Sequence, residues 1–152
     1  IHRWYLRDLS AVARLMDGIA AGDSDPAALA PAVRGMTLAE NLRLAGTVCG
    51  VQCMALTNHH QIEDSFLYPA LERHGNARLN AVLARLRDEH VAIHDLIGTL
   101  ADHAEKLAES MDAAQFEACA TAFAALDRAV RNHFRYEEDE IGPAIGFFDV
   151  PL

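Results

Sequence analysis

Apolar residues recur along this chain at alternating steps of three and four, the spacing of one face of an α-helix. The first stripe, His2, Tyr5, Leu9, Val12, Met16 and Ile19, predicts a helix from about Ile1 to Ala21. Gly22-Asp23-Ser24-Asp25-Pro26 breaks it, and a loop follows with a short helical piece between Pro26 and Gly35. A second helix opens at Thr37, where Thr37 and Glu40 form a capping box. Its stripe is Leu38, Leu42, Ala45, Cys49, Gln52, Leu56, His59, Glu63, Phe66 and Ala70. Pro69 is expected to kink its last turns, and Gly75-Asn76 to stop it. The third helix runs from about Ala77 to Glu109 on Leu83, Leu86, His90, His94, Ile97, Ala101, Ala104 and Ala108. Asp112 and Gln115 suggest a second capping box for a fourth helix, on Phe116, Cys119, Phe123, Leu126, Val130, His133 and Glu137. Gly142-Pro143 is expected to end it. Ala and Leu dominate and β-branched runs are absent, so the fold class is all-α. Short links between the second, third and fourth helices make those neighbours antiparallel. The expectation is an up-down-up-down four-helix bundle, one domain over residues 1–152.

Helix lengths then set the levels, at a rise of ~1.5 Å per residue. His2 lies 19 residues before Ala21, and His59 lies 22 after Thr37. From His59 to Asn76 is 17 residues, and from Asn76 to His90 and His94 is 14 and 18. From His94 to Glu109 is 15, and from Asp112 to His133 is 21. In such a bundle all five histidines meet in one layer, on the inward stripes, with Glu63 and Glu137 beside them.

Composition narrows the chemistry. Lys and Arg number 13 against 22 Asp and Glu, a net charge of −9 that disfavours nucleic acid, whose phosphates need clustered cations. No apolar run approaches the ~20 residues that span a bilayer, so no membrane is expected. Cys49, Cys53 and Cys119 form no disulfide framework and suit a reducing cytoplasm, filling the core as free thiols commonly do. Ile1 stands where an initiator Met would, so a short leader ahead of it stays an open expectation.

A lone histidine on an apolar stripe is usually a satisfied core residue. Five in one layer with two carboxylates are different, because buried charges need partners and a metal is the natural one. His59-x-x-x-Glu63 and His133-x-x-x-Glu137 each put an imidazole and a carboxylate on one helix face, one turn apart. His90-x-x-x-His94 pairs two imidazoles, and His2 completes the ring. With no Cys on the layer, the mixture suits iron, with manganese or zinc less favoured. His60 points ~100° away from His59 and reads as a flanking group. His74 reads as exposed and His103 as off the stripe. Gln52 reads as either an internal partner or a pocket residue, and Tyr5 as packing or support for His2.

On these residues the chain resembles the bacterial hemerythrin-like family, the HHE cation-binding domain. The segments are His2-Arg3-Trp4, His59-His60-Gln61-Ile62-Glu63-Asp64, Glu89-His90-Val91-Ala92-Ile93-His94 and His133-Phe134-Arg135-Tyr136-Glu137-Glu138. The resemblance implies two non-haem irons, one on His90, His94 and His133, the other on His2 and His59. Glu63 and an acid of the fourth helix would bridge them. The family pattern allows either Glu137 or Glu138 for that acid; the stripe selects Glu137.

The resemblance implies an open position on the second iron for dioxygen, another diatomic or peroxide, hence oxygen binding, sensing, redox or iron handling. The alternatives are a di-iron enzyme acting on peroxide or nitric oxide, and iron storage or a structural metal site. His2 stands near the start of the chain, so the second iron is expected to be the labile one.

Overall fold

The computed structural model describes residues 2–23, 50–74, 76–110 and 112–150. The capping box at Thr37 and Glu40, the piece between Pro26 and Gly35, and stripe positions Leu38 to Cys49 lie outside them. Every regular element among the described residues is helical: α1 (His2–Ala20), α2 (Gly50–Ile62), a π-helical turn (Glu63–Leu67), α3 (Tyr68–Glu72), α4 (Ala77–Ser110) and α5 (Ala113–Phe148). The all-α reading therefore holds, with α2, the π-turn and α3 forming one continuous rod. No described helix is long and apolar enough to cross a membrane.

Local chemistry sets the ends. Gly22 takes a left-handed φ of 77°, and Asp23 N–H bonds Gly18 O at 2.9 Å, the arrangement that closes a helix on glycine. Asn76 Oδ1 accepts from Leu79 N–H at 3.0 Å, so this residue caps the start of α4, while the preceding rod ends at Glu72. Asp112 Oδ1 accepts from Gln115 N–H at 2.8 Å at the start of α5. The far end of α5 departs from expectation. Gly142-Pro143 does not stop it; Pro143 sits inside the helix, which runs on to Phe148 and ends at left-handed Asp149. Proline costs a helix interior about 3 kcal/mol. Here Ile141 is buried, and Ile145 and Phe148 pack on the same apolar cluster, so burial offsets the missing bond.

The second helix departs too. Pro69 has no N–H for the carbonyl four residues back, and the ladder loosens ahead of it rather than kinking after it. Tyr68 N–H reaches Glu63 O, a five-residue step. One extra residue in the turn rotates everything downstream by ~100°. Phe66, a predicted core position, ends 72% exposed, while Tyr68 and Leu71 are 0% exposed.

Contacts give the directions. α1 meets α5 through His2–Glu138 and Ser10–Arg131, antiparallel. The α2–α3 rod meets α4 through His60–His94 and Tyr68–His90, also antiparallel. Arg78–Glu140 and Glu89–His133 fix α4 against α5 in the same sense. Two apolar clusters result. One holds Tyr5, Met16, Leu56, Ile93, Phe123, Val130 and Phe134, and the other Tyr68, Leu71, Leu83, Leu86 and Ile141. Between them lies a layer of histidines and carboxylates.

Candidate metal centre

Glu63 opens the π-turn directly after α2 and organises this layer. His59 lies four residues before it and His60 three, so the two rings stand at about −40° and +60° around the helix from the carboxylate. They bracket Glu63 and feed two separate sets of donors. One set is His60, Glu63, His90 and His133, all buried; the other is His2, His59, Glu63 and Glu137. Within each set one ligand atom per residue lies within 4.8 Å of the others. Glu63 belongs to both.

In the first set the rings of His60, His90 and His133 are 0%, 1% and 1% exposed. His60 stacks on His90 with centroids 3.9 Å apart. His90 Nε2 lies 3.4 Å from Glu63 Oε2. In the second set His2 Nε2 and His59 Nε2 face each other at 3.1 Å. His59 Nε2 lies 3.1 Å from Glu63 Oε1, and His2 Nε2 lies 3.4 Å from Glu137 Oε2. Glu137 Oε2 is also 3.8 Å from His133 Nε2, so this carboxylate stands between the sets as Glu63 does.

The other ring nitrogens are held from outside. His90 Nδ1–H donates to Asp64 at 3.1 Å, His133 Nδ1–H to Glu89 at 3.1 Å, and His2 Nδ1–H to Glu138 at 2.8 Å. Carboxylates at Nδ1 fix the tautomer and leave Nε2 as a lone pair aimed inward, the usual support of metal-binding histidines. Arg85 Nε donates to Glu89 at 2.8 Å, and Arg87 reaches Asp64 and Glu72, so two of these acids are themselves held in place by arginines. His60 Nδ1 is paired instead with His94 Nε2 at 3.1 Å.

Electrostatics mark the layer as unfinished in protein atoms alone. Burial lowers His59 to about 4, with His2, His90 and His133 adding repulsion. Burial drives His60 and His133 below the usual imidazole range as well. Burial pushes Glu63 up to about 7 and Glu137 up to about 8, the latter helped by its neighbour Glu63. His60 Nε2, Glu63 Oε2, His133 Nε2 and Glu137 Oε2 are buried without a hydrogen-bond partner. Orphaned buried polar atoms are rare and need an explanation. Neutral imidazoles and carboxylates converging on two points fit a pair of divalent cations.

Set beside the sequence reading, the structure brings His2, His59, Glu63, His90, His133 and Glu137 into the two donor sets. His94 lies outside both and supports His60, the ring read from sequence as flanking. The signal for His60 was present in its distance of three residues from Glu63. Glu138 is exposed and orients His2 rather than facing the centre. Tyr68, which sequence reasoning passed over, puts its hydroxyl 3.4 Å from His90 Nε2. No stripe could find it, because only the π-turn turns it inward. His74 is exposed and stacks on Phe148; His103 is half-buried beside α5, away from the layer. Cys119 is buried and free, while the side chains of Gln52 and Cys53 lie outside the described residues.

No curated protein and no solved structure matches the chain. A profile of the hemerythrin HHE cation binding domain does, over residues 2–145, from the histidine that opens α1 to the last turns of α5. That span takes in every residue of both donor sets, and the chain belongs to the hemerythrin HHE cation-binding family.

Proposed function

We propose that this chain holds two non-haem irons and uses them to bind dioxygen or a related small ligand. The observation that carries this reading is the shared carboxylate: Glu63 is common to two donor sets that are otherwise distinct. The first ion is assigned to His60, His90 and His133 and the second to His2 and His59, with Glu63 and Glu137 between them. Iron is favoured over zinc or manganese by a site of imidazole and carboxylate donors. When bound, it supplies redox chemistry and an open position for a small ligand. The chain's own residues hold the ions, fix the imidazole tautomers and exclude water with Leu56, Tyr5 and Phe134, all buried.

Two measurements test this. Crystals loaded with iron should show two anomalous peaks ~3.5 Å apart, the short end for two-metal sites. Reduced protein mixed with oxygen should develop a stable visible charge-transfer band. Rapid gas evolution on mixing with peroxide would instead make the centre an enzyme, and a single peak would remove the di-iron reading. The ligand assignment has its own test. His60→Ala should lose one iron per chain, whereas His94→Ala should keep both with weakened retention; the reverse result would restore His94 as the ligand.

A further inference from the structure

The imidazoles of the two donor sets differ in what stands behind them. In the first set His90 Nδ1–H meets both oxygens of Asp64, at 3.1 and 3.2 Å, and His133 Nδ1–H donates to Glu89 Oε2 at 3.1 Å. Each acid is one residue from a member of that set: Asp64 follows Glu63 in the π-turn, and Glu89 precedes His90 on α4. A step of ~100° per residue turns Glu89 towards α5 while His90 faces the rod. Arg85, one turn before Glu89, donates from Nε to Glu89 Oε1 at 2.8 Å and lies 3.9 Å over the Tyr136 ring. In the second set only His2 has such a carboxylate partner among the described residues. That partner is Glu138, whose side chain is 65% exposed against 37% for Asp64 and 27% for Glu89.

A carboxylate at Nδ1–H draws the ring proton towards itself and makes Nε2 the more basic donor. A more basic donor favours the higher charge on the ion it holds. Water screens this pull where the acid is open to solvent and leaves it stronger where the acid is partly enclosed. Asp64 and Glu89 therefore act on the first ion more than Glu138 acts on the second. Glu63 and Glu137 bridge on the di-iron reading and act on both ions, so they do not set the two apart.

We propose that Asp64 and Glu89 are positioning residues that lower the reduction potential of the first ion below that of the second, so that the first is oxidised first. One electron passes from that ion to an outside one-electron oxidant of the ferricyanide class. The proton stays on Nδ1, and no bond to the protein forms or breaks. Arg85 tempers the effect, because its guanidinium draws charge from the same carboxylate that supports His133.

The proposal rests on the di-iron reading, and one titration separates the two. Wild type and the variants Asp64→Asn, Glu89→Gln, Glu138→Gln and Arg85→Gln are loaded anaerobically with excess ferrous iron. They are then oxidised stepwise with ferricyanide, and the ferric fraction is read by Mössbauer spectroscopy. Wild type should show two one-electron steps. Asp64→Asn and Glu89→Gln keep the size of the side chain and remove its charge. Each should shift the equilibrium of the lower step about tenfold, as loss of an outer partner of a metal-binding histidine does, which is about 59 mV upward for one electron. The upper step should stay in place, and Glu138→Gln should leave the lower step unmoved. Arg85→Gln, at an exposed residue, should keep both irons and move the lower step downward, a change of sign that a merely structural role would not give. A lower step that stays put in both acid variants, or a shift equal in both steps, would overturn the proposal. Should an acid variant release its iron, Arg85→Gln decides: a lower step that stays or rises overturns the proposal as well. Wild type that takes up no iron pair would defeat the di-iron reading and the proposal together, whereas an iron pair indifferent to all four substitutions would defeat the proposal alone.

Discussion

Glu63 and Glu137 carry most of what is unusual at the scale of single residues. Each is a carboxyl set among histidines: Glu63 meets His59 and His90, and Glu137 meets His2 and, one turn earlier on its own helix, His133. Their raised values, about 7 and about 8 against 4.5, mean that the metal-free folded chain keeps protons that the unfolded chain releases. The native state is then stabilised less as pH rises from 4.5 to 8. His59 works the other way. Lowered to about 4 from 6.5, it costs stability as pH falls through that interval. The opposed trends offset each other where they overlap and leave a net fall between 6.5 and 8. The melting temperature of chelator-treated protein should therefore drop over that interval. With metal bound the carboxylates are ionised and their protons released, so the drop should disappear. Thermal melts followed by circular dichroism, with and without metal, decide it; a flat metal-free profile would show that the two acids ionise freely. The same geometry explains what the sequence reading missed at His60. Judged by its angle from His59 it looks away, but judged from Glu63 it is the second flank of the same carboxylate.

Among the elements, the π-turn decides which residues face the centre. Up to Glu63 the stripe read from sequence holds at Leu56 and Glu63, both inside, with His60 buried beside it. Beyond it the stripe and the buried face part by one residue. Periodicity assumes a constant step per residue, and one five-residue hydrogen bond breaks the assumption without any change in composition. A pair of substitutions tests the register. Leu71→Ala should cost about 2–5 kcal/mol, as truncation of a buried leucine does. Phe66→Ser should stay within about 0.5 kcal/mol, as exposed positions do. Urea unfolding of the two variants measures both; a large loss at Phe66 with little at Leu71 would mean an uninterrupted helix. Pro143 makes a related point on α5, beside the same apolar cluster. Sequence rules read Gly-Pro as a stop, but the buried face of α5 continues past it, and tertiary packing outweighs the local penalty. Pro143→Ala should accordingly raise stability by about 1–3 kcal/mol, part of the cost of a proline in a helix interior, measured in the same unfolding experiment.

Across the whole molecule, the layer was legible because helix length converts residue counts into height. His2, His59, His90 and His133 were placed at one level by arithmetic along four helices, and the structure has them there. Arithmetic could not show how unequal the two ends of the layer are. The first donor set is buried on every side and draws on the α2–α3 rod, α4 and α5. The second has the side chains of His2 and His59 each 14% exposed. Among the described residues, His2 is also the sole contribution of α1. It is held by stacking on Phe134 at 3.9 Å and by Glu138, whose side chain is 65% exposed. An ion pair open to water contributes about 0–1 kcal/mol and is screened by salt. On the di-iron proposal, water and chelators should therefore reach the second ion first, and its imidazole from α1 should be the one most easily withdrawn. Iron-loaded protein exposed to a strong chelator should lose metal in two phases of equal size, the faster from the His2–His59 side. Raising the salt concentration should speed the fast phase by weakening His2–Glu138 and leave the slow phase nearly unchanged. His2→Ala should fold, since Tyr5 and Met16 still bury α1, yet retain close to one iron per chain. Loss of both irons together in that variant, or a single phase in wild type, would show that the two ions are held as one unit and that the exposure of His2 does not govern release.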